Sequence, residues 1–188
     1  MTTVYKRLMV AFLTLGCALV GGASSAHAQA TRTWVSGVGD DTNPCSRTAP
    51  CLTFAGAISK TAASGEIDVL DPGDFGPLTI SKSITINGRG RGFITSGTRG
   101  IVVSAGVDDV VVIRGVKLLG TSTGNGIEFN GGRSLYLEDV VIRAFQQAGV
   151  AVATATPANL LVSGTEVEGP TTNGISLTPA AKLRAVIE

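Results

Sequence analysis

The residues able to do chemistry come back at a near-constant interval. Asp139 lies 25 residues after Arg114 and 25 before Gly164, and Arg143 lies 25 before Glu168. Glu138 aligns in the same way with Ile113 and Ser163, and Glu166 with Val141. If the chain coils once per interval, residues one interval apart stack on one outer face. Paired acids stacked like this would suit glycoside hydrolysis, where one carboxyl protonates the leaving oxygen and the other activates water. No column of this alignment stacks two acids. It predicts instead two cross-coil ion pairs, Arg114 with Asp139 and Arg143 with Glu168, each contributing about 0–1 kcal/mol at an exposed site. Tyr136 stands between Leu135 and Leu137, so alternation turns it outward, where it is the best single candidate for stacking against a sugar. Arg114, Tyr136, Asp139, Arg143 and Glu168 are therefore candidate ligand-binding positions, and none is assigned a catalytic role.

Other chemistries are narrowed by the start of the chain. Lys6 and Arg7 precede an apolar run from Leu8 to Gly21, and small residues then lead into Ala26-His27-Ala28 and Ala28-Gln29-Ala30. That is the pattern of a secretory signal peptide, here residues 1–30, with cleavage expected after Ala28 or Ala30. Two rivals are a retained anchor, for which the run is short, and a lipoprotein signal at Cys17, where Thr14 occupies a place that wants Leu. Processing would release a chain without a membrane span into the periplasm or the medium. It would remove two of the 15 basic residues, leaving 13 against 14 acidic ones and a net charge near −1. Such a balance favours neither nucleic acid nor an anionic membrane surface. The only histidine, His27, leaves too, which excludes a Ser-His-Asp triad and an imidazole zinc site.

With Cys17 gone, Cys45 and Cys51 in "NPCSRTAPC" enter an oxidising compartment with no other thiol to choose, and a local disulfide is the economical reading. Asp71–Asp74 and the pair Asp108-Asp109 could offer oxygens to calcium, but turn chemistry accounts for both more simply. No metal site and no cofactor are expected. "GRGRGF" at Gly88–Phe93 lacks the following helix that a phosphate loop needs, so it reads as a corner.

The interval belongs to two phrases that keep step. "NGIEF", "AGVAV" and "NGISL" place Gly126, Gly149 and Gly174 at steps of 23 and 25 residues. "DVVVIRGVKL", "SLYLEDVVIR", "NLLVSGTEVE" and "KLRAVIE" place Val110, Leu135, Leu160 and Leu183 at steps of 25, 25 and 23. An internal period of this size signals a solenoid. Ile127/Phe129, Val150/Val152, Leu135/Leu137 and Leu160/Val162 alternate with period two, which means short strands with one buried face. Gly and Asn mark the corners. Each coil of about 23–26 residues holds roughly three strands and leaves no room for a helix, so the fold class is all-β, a parallel β-helix. Ile101, Ile127, Val150 and Ile175 form one inward column, with Val102, Glu128, Ala151 and Ser176 outward beside it.

Residues 31–65 read as an N-terminal segment. Leu52, Ala55, Ile58 and Ala62 have helical spacing and stop at Gly65, a suitable C′ residue, so a short amphipathic helix can cover the open end of the coils. Residues 66–188 are the coils, with "EIDVLDPGDFGPLTISKSITINGRG" the first of them.

"PCLTFAGAIS", then "DPGDFGPLTISKSITINGRG", then the Gly-Ile and Val-x-Ile repeats resemble secreted bacterial right-handed β-helix proteins of the pectin-lyase-like superfamily, over roughly residues 40–188. That resemblance implies a right-handed coil and admits two functions, because members include polysaccharide-active enzymes and non-enzymatic surface proteins. The first expectation is a secreted, non-catalytic scaffold binding a glycan or a protein partner. The alternative is a polysaccharide lyase or glycoside hydrolase acting on acidic polysaccharide, and calcium enters only there. At the other end, "KLRAVIE" reaches Ile187 in mid-phrase. An uncapped apolar coil exposes strand edges, so the coils are expected to be incomplete there or to pair with another chain. The rival is a monomer whose last coil frays.

Overall fold

The computed structural model describes residues 29–169 and 172–188; the expected leader, up to residue 28, lies outside them. Among the described residues, fifteen strands and one helix wind into a parallel β-solenoid with three faces. The first face stacks β4 (Leu78–Ile80), β6 (Ile101–Ser104), β8 (Ile127–Gly131), β11 (Ala148–Val152) and β14 (Asn173–Leu177). The second stacks β1 (Ala30–Val35), β2 (Thr61–Val69), the first halves of β5 (Ile84–Ser96) and β7 (Val110–Gly120), then β9 (Ser134–Glu138), β12 (Ala158–Ser163) and β15 (Leu183–Ile187). The third stacks β3 (Gly73–Asp74), the second halves of β5 and β7, β10 (Val141–Arg143) and β13 (Glu166–Glu168).

The inward column of the first face has the expected register. Ile101 pairs with Ile127, Ile127 with Val150 and Val150 with Ile175. The first three are fully buried, and Ile175 packs against the core. Strands about 4.8 Å apart put these side chains in contact.

The second face departs from the alignment by one residue at β7 and by two at β15. Val111, not Val110, pairs with Leu135, and Leu183 pairs with Ala158 rather than Leu160. The cause at β7 is in the sequence: Val110–Ile113 is four β-branched residues in a row, which carries no alternation to fix a phase. Packing fixes it, burying Val111 and Ile113 completely.

Corners between the second and third faces need left-handed backbone. Gly115, Asp139 and Gly164 supply it at φ 60°, 52° and 57°, and Arg89 and Gly90 do so within the "GRGRGF" stretch. An Asp at such a φ is tolerated because its short side chain can bond locally.

On the opposite corner Asp109 ties three coils. Its carboxylate accepts from Ser83 N at 2.9 Å, Ser83 Oγ at 2.6 Å and Gly106 N at 2.8 Å, while its carbonyl accepts from Arg133 N at 2.7 Å. The Ser83 hydroxyl, ahead of the backbone donors and against partial desolvation, holds this carboxyl below the usual aspartate range. A depressed folded pKa stabilises above the unfolded pKa, and that stability is lost as pH falls through the folded value. Asp109→Asn should therefore lower the denaturation midpoint at neutral pH, and the gap to the parent should close on acidification. A gap independent of pH would contradict this.

The helix α1 (Phe54–Lys60) is shorter than the spacing predicted. Thr53 caps it, its Oγ1 accepting from Gly56 N, and Phe54 and Ala57 are fully buried against the first coils. Thr61 turns extended at φ −90°, ψ 135° and begins β2 directly. Gly65 is thus inside a strand rather than at a helix end, and Leu52 is exposed. The coils accordingly begin upstream of Glu66.

Cys45 and Cys51 are bonded, with Cα atoms 4.7 Å apart, and both are buried. Their loop continues the second face beyond β1: Trp34 N donates to Cys45 O at 2.9 Å and Cys51 N to Trp34 O at 3.0 Å. Protein purified without reductant should show neither Cys45 nor Cys51 alkylated by peptide mass until it is reduced. Two modified cysteines in unreduced material would refute the pairing.

Candidate functional site

The outer surface of the third face gathers the most varied chemistry. Parallel register sets Asp74, Phe93, Lys117, Val141 and Glu166 in one column and Thr95, Leu119, Arg143 and Glu168 in the next. These positions point out because their neighbours Ile94, Leu118 and Ile142 are buried. A shallow groove of about 520 Å³ follows, lined by Phe93, Lys117, Leu119, Val141, Arg143 and Glu166. Phe93 and Leu119 are exposed by 38% and 46%, which leaves them available to a ligand.

Arg143 organises the far end. Its Nε lies 2.9 Å from Glu168 and its Nη2 3.3 Å from Glu166, so the expected Arg143–Glu168 pair is present and acquires a third member. Interaction between the two carboxyls raises Glu168 above the usual range and, with Arg143, lowers Glu166. Lys117 makes no ion pair among the described residues, so its charge faces the groove unspent.

The other expected pair does not form. The one-residue shift puts Glu138, not Asp139, opposite Arg114, and Arg114 reaches back to Glu66 at 2.8 Å. Asp139 is held in the corner, its N–H donated to Ser163 O at 3.0 Å. Arg114 instead joins a network on the early second face. Asp68, fully buried, accepts from Arg32 Nε at 2.6 Å, Arg89 Nε at 3.0 Å and Asn87 Nδ2 at 3.0 Å. Asn87 also donates to Glu66 at 3.1 Å. Tyr136 is half-buried on this face between Val112 and Leu161 in register, the centre of an apolar stripe rather than an open platform.

Of the five sequence candidates, the structure thus brings together only Arg143 and Glu168. Phe93, Lys117 and Leu119 were missed. Their signal was the alternation in "GFITS" and "VKLLG", readable only once the corner at Gly115 is known to reset the phase. Asp71 and Asp74 serve turns: Asp71 accepts from Ser36 Oγ and Gly37 N, Asp74 from Gly76 N and Thr95 N. Compared with family models, curated proteins and solved structures, the chain matches none.

Proposed function

We propose that this chain is an exported, non-catalytic β-helix of pectin-lyase-like kind that binds a glycan through the outer surface of its third face. The observation that carries the reading is the groove itself: exposed Phe93 and Leu119 beside the unpaired Lys117 and the anchored Arg143, all on strands locked by parallel neighbours. An aromatic face for a sugar ring, flanked by donors for its hydroxyls, is a sufficient binding unit, and a rigid backbone limits the ordering cost. Export is supported by the leader pattern, by the disulfide and by the fact that no helix among the described residues is long and apolar enough to cross a membrane.

The opposing reading, a lyase or hydrolase, rests on the resemblance and on the two glutamates of unlike acidity. Those carboxyls converge on one guanidinium, at 3.3 Å and 2.9 Å, whereas carboxyl pairs flanking a glycosidic bond stand about 5–5.5 Å apart in retaining enzymes and wider in inverting ones, with the scissile bond between them. Arg143 also neutralises them. A panel of neutral and acidic polysaccharides, with and without calcium, decides between the two. Retention on an immobilised polysaccharide, lost in Phe93→Ala and Lys117→Ala, supports binding. New reducing or unsaturated ends would establish the enzyme.

A further inference from the structure

We infer that the N-terminal end of the solenoid carries a second site, a groove around Trp34 that takes a neutral oligosaccharide. It uses none of the third-face residues, so it stands apart from the reading above. The groove encloses about 820 Å³, within the usual range for ligand sites. Its walls are β1, the disulfide loop and the end of α1, contributing Arg32, Trp34, Asn43, Ser46 and Ser59.

Trp34 is on the outward side of β1, between the buried Thr33 and Val35. Backbone bonds to Cys45 and Cys51 fix it from one side and pairing with Asp68 from the other. The Arg32 guanidinium sits 5.7 Å from the ring centroid and holds the indole in place. A large aromatic surface kept partly open in this way offers a flat apolar face to a ligand.

The rim supplies polar groups of both kinds. Asn43 donates its amide N–H to Pro50 O at 2.9 Å, which sets its amide oxygen in the acceptor role. The Ser59 hydroxyl donates to Gly56 O at 2.7 Å and can accept in turn. A ligand with an apolar C–H face and a rim of hydroxyls matches this lining, and a pyranose has that form.

The bonds of the two cations select the neutral kind. Arg32 already has its counter-ions in Asp68 and Glu66. The three N–H groups of Lys60, also on the wall, are taken by the carbonyls of Asp41 and Asn43 and by Cys51 Sγ at 3.7 Å. A uronate carboxylate would have to displace these bonds to gain a donor, and desolvating a charge without one is costly.

The chain has one tryptophan, so its fluorescence reports this groove alone. Cellohexaose, mannohexaose and hexagalacturonate are titrated into the exported protein, with fluorescence and calorimetry read in parallel. A saturable Trp34 response to a neutral hexaose, with affinity at least about tenfold above that for hexagalacturonate, is expected. Trp34→Ala should weaken binding at least about tenfold by calorimetry. Ser59→Arg, an exposed helix position that fills the groove without touching the core, should abolish the response while circular dichroism stays unchanged. Phe93→Ala should leave it intact. No saturable response to any of the three sugars, preference for hexagalacturonate, or a response unchanged in Ser59→Arg would overturn the inference.

Discussion

Replacing Ile127 with Asp should leave no cooperatively folded protein at neutral pH. Ile127 is fully buried between Ile101 and Val150 on adjacent coils. A carboxylate there has no partner, and the lost apolar contacts add to its desolvation. The combined cost is roughly 4–5 kcal/mol or more, against a total stability of about 5–15 kcal/mol for ordinary domains. Glu128→Ala, one residue along, removes only a surface bond from Asn125 at 2.9 Å and a 3.4 Å pair with Arg99, and should cost at most about 1 kcal/mol. Guanidinium denaturation followed by circular dichroism compares them. Equal midpoints would show that the register of the first face is wrong.

Asp68→Ala is the second large effect. Asp68 lies on an outer face yet is fully buried, because Arg32, Arg89 and Asn87 close over it. Removing it leaves two guanidinium groups facing each other across a vacated space. Breaking a fully buried ion pair costs about 3–5 kcal/mol; since both arginines are half-exposed, roughly 2–3 kcal/mol is the fitting expectation here. The network spans β1, β2, β5 and β7, so the loss should appear as a lower midpoint and as faster hydrogen exchange in β1 and β2. Asp139→Ala, a corner residue outside the network, separates the two roles, since it should leave the exchange of β1 unchanged. An Asp68→Ala midpoint within about 0.5 kcal/mol of the parent would mean that the network is only a surface arrangement.

The contrast between these sites shows what sequence can disclose. The column through Ile127 was legible because a glycine opens each copy of the phrase and sets the phase of the alternation after it. Val110–Ile113 offers no such mark. An error of one residue there moved Arg114 from Glu138 to Asp139 and made a corner residue look like an ion-pair partner. The Asp68 network was hidden for a different reason. Arg114 and Glu66 are 48 residues apart and skip a coil, so no single repeat step connects them. β1 went unseen because Ala30–Val35 abuts a processing pattern and has no counterpart phrase. Arg143 and Glu168 were found because their strands are short, follow a corner at a fixed place and carry one unambiguous inward apolar residue each, Ile142 and Val167.

The parallel ladders have a mechanical meaning. The backbone of each coil is bonded only to the coil before and the coil after it, through pairs that lie along the solenoid axis. Tension drawing one end away from the other therefore loads a few bonds at a time, and the chain peels instead of rupturing as a whole. One coil of 25 residues, measured from Leu135 to Leu160, would release roughly 80–90 Å of extended chain. The Asp68 network and the disulfide loop both clamp the first coils, so the molecule resists peeling at that end and yields from the other.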